Sequence, residues 1–114
     1  MKIITSITSQ PKQRMVLRLD NNESVIMRLY YYATQKSWYY DIEYKDYISN
    51  GNKVVLTMNA LRHLRKKLPF GISFLKGSYA EPFELDDFSS GNALMILLNQ
   101  EDVELIESEV YGNG

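Results

Sequence analysis

The chain contains no cysteine, so neither a disulfide framework nor a thiolate metal site is open to it. A single histidine, His63, removes paired-histidine metal sites and makes any Ser-His-Asp triad depend on that one residue. No apolar run approaches the roughly 18 residues of a membrane-spanning helix. The start, MKIITSITSQPK, lacks the apolar core of an export signal. Synthesis in the cytosol, or export by a route the sequence does not show, and no membrane partner are therefore expected. Neither sign of charge is in surplus: a net charge of −1 argues against a general nucleic-acid binder. P-loop, GxSxG, HExxH and GxGxxG patterns are all missing. An enzyme is not expected, and no catalytic, cofactor-binding or metal-binding residue is assigned.

What is present suits one folded unit. A chain of 114 residues, 45% hydrophobic, can bury about two-thirds of its extended surface and close one core. A single β-rich domain over 1–114 follows, with an acidic C-terminal tail at about 107–114. The centre of the chain is the stretch 24–45, SVIMRLYYYATQKSWYYDIEYK, where two runs rich in β-branched and aromatic residues flank a polar link. If Thr34, Gln35, Lys36 and Ser37 form the loop, Ala33 faces Trp38. One face then carries Val25, Met27, Leu29, Tyr31 and Ala33 against Trp38, Tyr40, Ile42 and Tyr44. The other sets Arg28 opposite Glu43 and Tyr32 opposite Tyr39, pairs worth roughly 0.2–1 kcal/mol each.

Around that hairpin the chain reads mostly as short strands. A short edge strand at 3–7 would stop before Pro11. The segment 13–19 alternates, with Met15, Leu17 and Leu19 on one side. For these to share a face with Val25, Met27 and Leu29, the turn after Leu19 needs three or five residues and a bulge. The stretch 46–53 reads as turn-rich, broken at Asn50-Gly51, and a short apolar strand follows at 53–56. Thr57 or Asn59 would cap the one convincing helix, 59–68, which Pro69 and Gly71 end. GISFLK at 71–76 is a strand, 77–90 an extended acidic loop, and NALMILLN at 92–99 a strand buried on both faces or closing a barrel. The acidic 101–109 would extend that strand briefly or begin the tail. The fold class is mainly β: a small antiparallel β-barrel or sandwich with one short α-helix.

Chemistry-bearing residues are weighed against plainer roles. Asp86-Asp87 and Glu101-Asp102 are adjacent, so in extended chain their side chains diverge and read as solvated loop acids. His63 sits on the polar side of the expected helix and reads as a surface residue. Arg62, Arg65, Lys66 and Lys67 cluster at the helix end, as a solvated cap, a protein contact or, least favoured, a nucleic-acid contact. Tyrosines concentrate between positions 30 and 47. The expected register puts Tyr30, Tyr32 and Tyr39 on the face away from the meander's apolar side. Such rings suit a subunit interface or, equally, a barrel packed on itself.

The order of motifs resembles the small baseplate plug proteins of contractile-tailed phages, a family first described in a cyanophage tail. The resemblance runs from Ile7 to Leu105. It opens with Thr8-Ser9-Gln10-Pro11-Lys12-Gln13-Arg14-Met15 and continues with Arg28-Leu29-Tyr30-Tyr31. Its most specific element is Trp38-Tyr39-Tyr40-Asp41-Ile42, similar to a tryptophan-x-x-aspartate-isoleucine signature. Ser49-Asn50-Gly51, Val54-Val55-Leu56, Phe70-Gly71-Ile72-Ser73-Phe74 and Asp86-Asp87-Phe88 through Leu97 complete it. Met58-Asn59-Ala60 departs from the glycine-acidic pair usual there, and the basic cluster is more basic than typical. The resemblance implies a non-catalytic baseplate subunit of the virion, assembled in the host cytoplasm in multiple copies. It would cement hub, tube-initiator and wedge proteins through protein–protein contacts. The alternative is an OB-like barrel stacking single-stranded nucleic acid on Tyr30, Tyr32 and Tyr39.

Overall fold

Alternation of apolar and polar residues along 12–53 builds the larger of two antiparallel sheets. The computed structural model of the chain describes residues 1–62, 68–76 and 84–109. Strands β2 (Lys12–Arg18), β3 (Ser24–Tyr32), β4 (Ser37–Tyr44) and β5 (Tyr47–Lys53) lie side by side in chain order. The smaller sheet has the order β1-β7-β6, from β1 (Lys2–Ile3), β7 (Ala93–Leu98) and β6 (Gly71–Lys76). The two sheets make a mainly β, sandwich-like fold and do not close into a barrel. A four-residue helix, α1 (Asp87–Ser90), precedes β7, and α2 (Gln100–Glu109) follows it.

The core lies between the sheets. Val25, Met27, Leu29, Trp38, Tyr40 and Ile42 point inward from the larger sheet, each 2% exposed or less. They meet Phe70, Ile72, Phe74 and Met95 of the smaller. Aromatic edges bridge the layers: Tyr40 with Phe74 at 5.5 Å, Tyr44 with Phe70 at 5.7 Å, and Trp38 with Phe88 at 5.8 Å. The Trp38 indole N–H donates to the Glu84 carbonyl at 3.1 Å, satisfying the one polar atom of a fully buried ring.

The face assignment of the central hairpin is as the alternation predicts, but its register is not. Tyr31 pairs with Trp38 and Tyr32 with Ser37, so the loop is 33–36, one residue earlier than expected. Lys36 adopts a left-handed φ of 49° and Ser37 donates its hydroxyl to the Gln35 carbonyl at 3.0 Å, which lets the return strand begin at Ser37. The error is two residues in pairing, and a sheet repeats every two, so every side chain stays on its predicted face. Between β2 and β3 the backbone bond from Leu19 N–H to Glu23 closes a three-residue loop with Asn22 at φ 69°. That is one of the two odd lengths predicted.

Other expectations are corrected. The stretch 46–53 is not a turn region: β5 runs through it, and the turn is Lys45-Asp46. Asn50-Gly51 is a bulge inside the strand; Gly51, at φ 73°, donates its N–H to the Asp41 carboxylate at 2.8 Å while the register shifts between Tyr40 and Ile42. No strand forms over 54–56; the chain instead makes an isolated bridge from Thr57 to Phe74. The 101–109 stretch is helix α2, not strand or tail. Asn99 and Asp102 cap it reciprocally: Asp102 N–H donates to Asn99 Oδ1 at 2.8 Å and Asn99 N–H to Asp102 Oδ2 at 3.1 Å. Of the helix expected over 59–68, residues 63–67 lie outside the described residues, as do 77–83 of the acidic loop. Asn59 does cap the turn that begins there, accepting from Leu61 N–H at 3.0 Å.

Strand β7 is buried on both faces, as its unbroken apolar sequence requires. Ala93, Met95 and Leu97 face the main core, while Ile96 and Leu98 pack with Val103 and Ile106 of α2.

Candidate interface on the outer sheet face

The residues that alternate with the core positions of β2 to β5 form the outer face of the larger sheet. Cross-strand pairing arranges them in rows. One row runs Lys12, Tyr30, Tyr39, Lys53; the next runs Arg14, Arg28, Asp41; a third runs Val16, Ile26, Glu43, Ile48. Tyr32 stands at the hairpin end, 48% exposed. Rings and cations therefore share one surface.

The three tyrosines contact one another. Tyr30 and Tyr39 stack at 6.0 Å, and Tyr32 lies edge-on to both, 5.6 Å from Tyr30 and 5.2 Å from Tyr39. Their hydroxyls are anchored at two points. Tyr30 donates to Asp41 at 2.9 Å, and Tyr39 donates to Gln35 Oε1 at 2.7 Å. Burial, joined by the bond to Asp41, pushes the Tyr30 hydroxyl up to about 12, so it stays a donor at neutral pH. Beside the rings a shallow cleft of about 490 Å³ is lined by Lys12, Arg14, Arg28, Tyr30, Tyr32 and Asp41 together with Gln13 and Leu29. Arg28 approaches Glu43 at 3.8 Å with both side chains partly exposed, a long and weak pair.

The structure thus brings together three of the sequence-derived site residues, Tyr30, Tyr32 and Tyr39. It separates Arg62 from them. Arg62 pairs with Glu107 of α2 at 3.4 Å, joining the basic segment to the acidic one within the same chain. Arg65, Lys66 and Lys67 lie outside the described residues. Sequence reading missed Lys12, Arg14 and Lys53 as neighbours of the rings. Parity along β2 could have found the first two, because Lys12 and Arg14 alternate with the core-facing residues.

One acid is also corrected. Asp87 is not a solvated loop acid but is 4% exposed. Burial alone would raise its pKa, but Asn92 Nδ2 at 3.0 Å, Glu84 N–H at 2.6 Å and Lys76 Nζ at 3.2 Å together hold it below the usual carboxylate range. Each of those donors belongs to a different segment, so the carboxylate ties β6 to both ends of α1. That is a structural task. Among the described residues no group of His, Asp and Glu is arranged to hold a metal ion, and no helix is long and apolar enough to cross a membrane.

An open face of rings and cations has the composition of a surface that can recognise a partner. The family described as cyanophage baseplate Pam3 plug gp18 matches residues 1–100 of the chain. No curated protein matches it.

Proposed function

The chain belongs to the cyanophage baseplate plug family, and on that premise we propose that it cements the junction of hub, tube-initiator and wedge proteins by protein–protein contacts. In this reading it is made in the host cytoplasm and built into the virion tail in multiple copies, without catalysing a reaction. The observation that supports this is the outer face of the larger sheet. Tyrosine and arginine are enriched at protein interfaces: tyrosine covers a large area with only two torsions to freeze, and arginine offers a planar fork of donors, while both keep polar ends. Tyr30, Tyr32 and Tyr39 supply the rings, and Arg14 and Arg28 flank them. The cluster of Arg62, Arg65, Lys66 and Lys67 is the second candidate contact.

The test is incorporation. Tyr32→Ser combined with Tyr39→Ser should lower the amount of the protein in purified tails about tenfold, while its thermal midpoint moves by only a few degrees. Reversal of Arg65 and Lys66 to Glu tests the second contact in the same assay. Incorporation at the parent level removes the corresponding surface.

A second reading has one observation in its favour. Lys12, Arg14 and Lys53 lie on the same surface as the stacked rings, the combination used to hold single-stranded nucleic acid. Titration with oligonucleotides at low salt separates the two: binding that collapses as salt rises supports the nucleic-acid reading.

A further inference from the structure

Strand β2 is an open edge whose hydrogen-bonding row can be assigned residue by residue. Backbone bonds join Tyr31 to Pro11 and Leu19 to Glu23, which fixes the parity of the β2–β3 ladder. Gln13, Met15 and Leu17 turn their N–H and C=O groups toward β3. Lys12, Arg14, Val16 and Arg18 turn theirs away. All four are exposed, and no backbone partner is present for that row among the described residues.

The other sheet edges are blunted. On β6, Thr57 exchanges both backbone bonds with Phe74 at 3.0 Å, and the Asn59 side chain accepts from Ile72 N–H at 3.2 Å. On β5, the bulge at Asn50-Gly51 breaks the repeat. Strand β1 is only two residues long. Seven regular residues of β2 are left.

Its side chains restrict what can pair there. Lys12, Arg14 and Arg18 have no ion-pair partner among the described residues. Two copies meeting β2 to β2 would set these cations against one another, which disfavours self-pairing. An acidic strand would meet both the free backbone groups and the cations.

We propose that β2 receives an extended, acidic segment of a neighbouring baseplate protein, which adds as a fifth strand to the larger sheet. Main-chain bonds to Arg14 and Val16 supply the register. The cations select acidic residues on the outer face, and the cleft beside Tyr30 and Tyr32 takes the flanking side chains. The inference rests on the plug reading and specifies how one of its contacts is made.

The discriminating variant is Val16→Pro. Proline there removes an N–H that faces outward and leaves the bonds of Met15 and Leu17 to β3 in place. With Val16→Ala and Arg14→Lys as controls, tails assembled with each variant are purified and their content of the protein measured against the tube protein. Val16→Pro and Arg14→Glu should each be incorporated at least tenfold less than the parent, with unchanged unfolding midpoints, and the controls should match the parent. Parent-level incorporation of Val16→Pro overturns the added strand, and parent-level incorporation of Arg14→Glu overturns its acidic character. Should Val16→Pro lower the midpoint, the double reversal Arg14→Glu with Arg18→Glu decides, and its normal incorporation overturns the proposal. A dimer of the isolated protein that Val16→Pro abolishes would make the occupant a second copy, and release from tails by nuclease would make it nucleic acid; either overturns the inference. Absence of the parent itself from tails overturns the plug reading and this inference with it, whereas a parent present beside an equally present Val16→Pro overturns the inference alone.

Discussion

The larger sheet presents two faces made by the same strands. Its inner face carries Leu29, Trp38 and Ile42, each 1% exposed or less, packed on the smaller sheet. Its outer face carries Arg14, Arg28, Tyr30, Tyr32 and Tyr39, held only by one another and by a few polar bonds. Adjacent residues of one strand thus face opposite demands. Packing decides the inner set, where close fit and exclusion of water contribute most of the stability. The outer set is released from packing and can be chosen for recognition.

If that division is right, the inner face should dominate stability. Trp38→Ala removes a fully buried ring with its contacts to Tyr31 and Phe88. It should destabilise by about 3–5 kcal/mol, read from the urea midpoint. A loss comparable to that of Tyr32→Ser would erase the distinction between faces.

A middle effect is expected where a buried charge pair joins the elements at the end of the sandwich. Asp87→Asn removes a negative charge 3.2 Å from the Lys76 ammonium, whose side chain is 6% exposed. The expected loss is about 2–3 kcal/mol at neutral pH. Because the folded-state pKa of Asp87 is lowered, its ionised form stabilises the fold above the unfolded carboxylate value of about 4. That contribution disappears as pH falls through the lower, folded value. The gap between parent and Asp87→Asn should accordingly narrow in chemical denaturation below about pH 4; a gap independent of pH would show that packing, not charge, is responsible.

The smallest effect belongs to the outer face. Glu43→Gln weakens the long, partly exposed 3.8 Å approach of Arg28. Stability should change by less than about 0.5 kcal/mol in the same urea assay. A larger change would mean that the outer face supports the fold more than its exposure suggests.

The two-residue period made the faces legible despite Ile26 and Tyr39, and burial does alternate along Val25 to Leu29 and Trp38 to Ile42. Register was not legible. It depended on whether Lys36 or a later residue would take the left-handed turn position, and both choices keep the same faces. Asn50-Gly51 misled because the pair that closes a turn also permits a bulge. Helix α2 left a signal that went unused: Asn99 three residues before Asp102, and Val103 three before Ile106. Asp87 could not be read at all, because its partner Lys76 approaches only once β6 and α1 are in place. At the candidate interface the rings were legible from composition and alternation, and parity along β2 could have added Lys12 and Arg14, while Lys53 required the β4–β5 pairing.

The double-sided burial of β7 has a practical consequence. The family match ends at residue 100, where α2 begins. A version of the protein cut at that point would retain the whole matched segment and still leave Ile96 and Leu98 stripped of Val103 and Ile106. Such a shortened chain should aggregate on expression, because the apolar face of β7 that α2 covers would lie open.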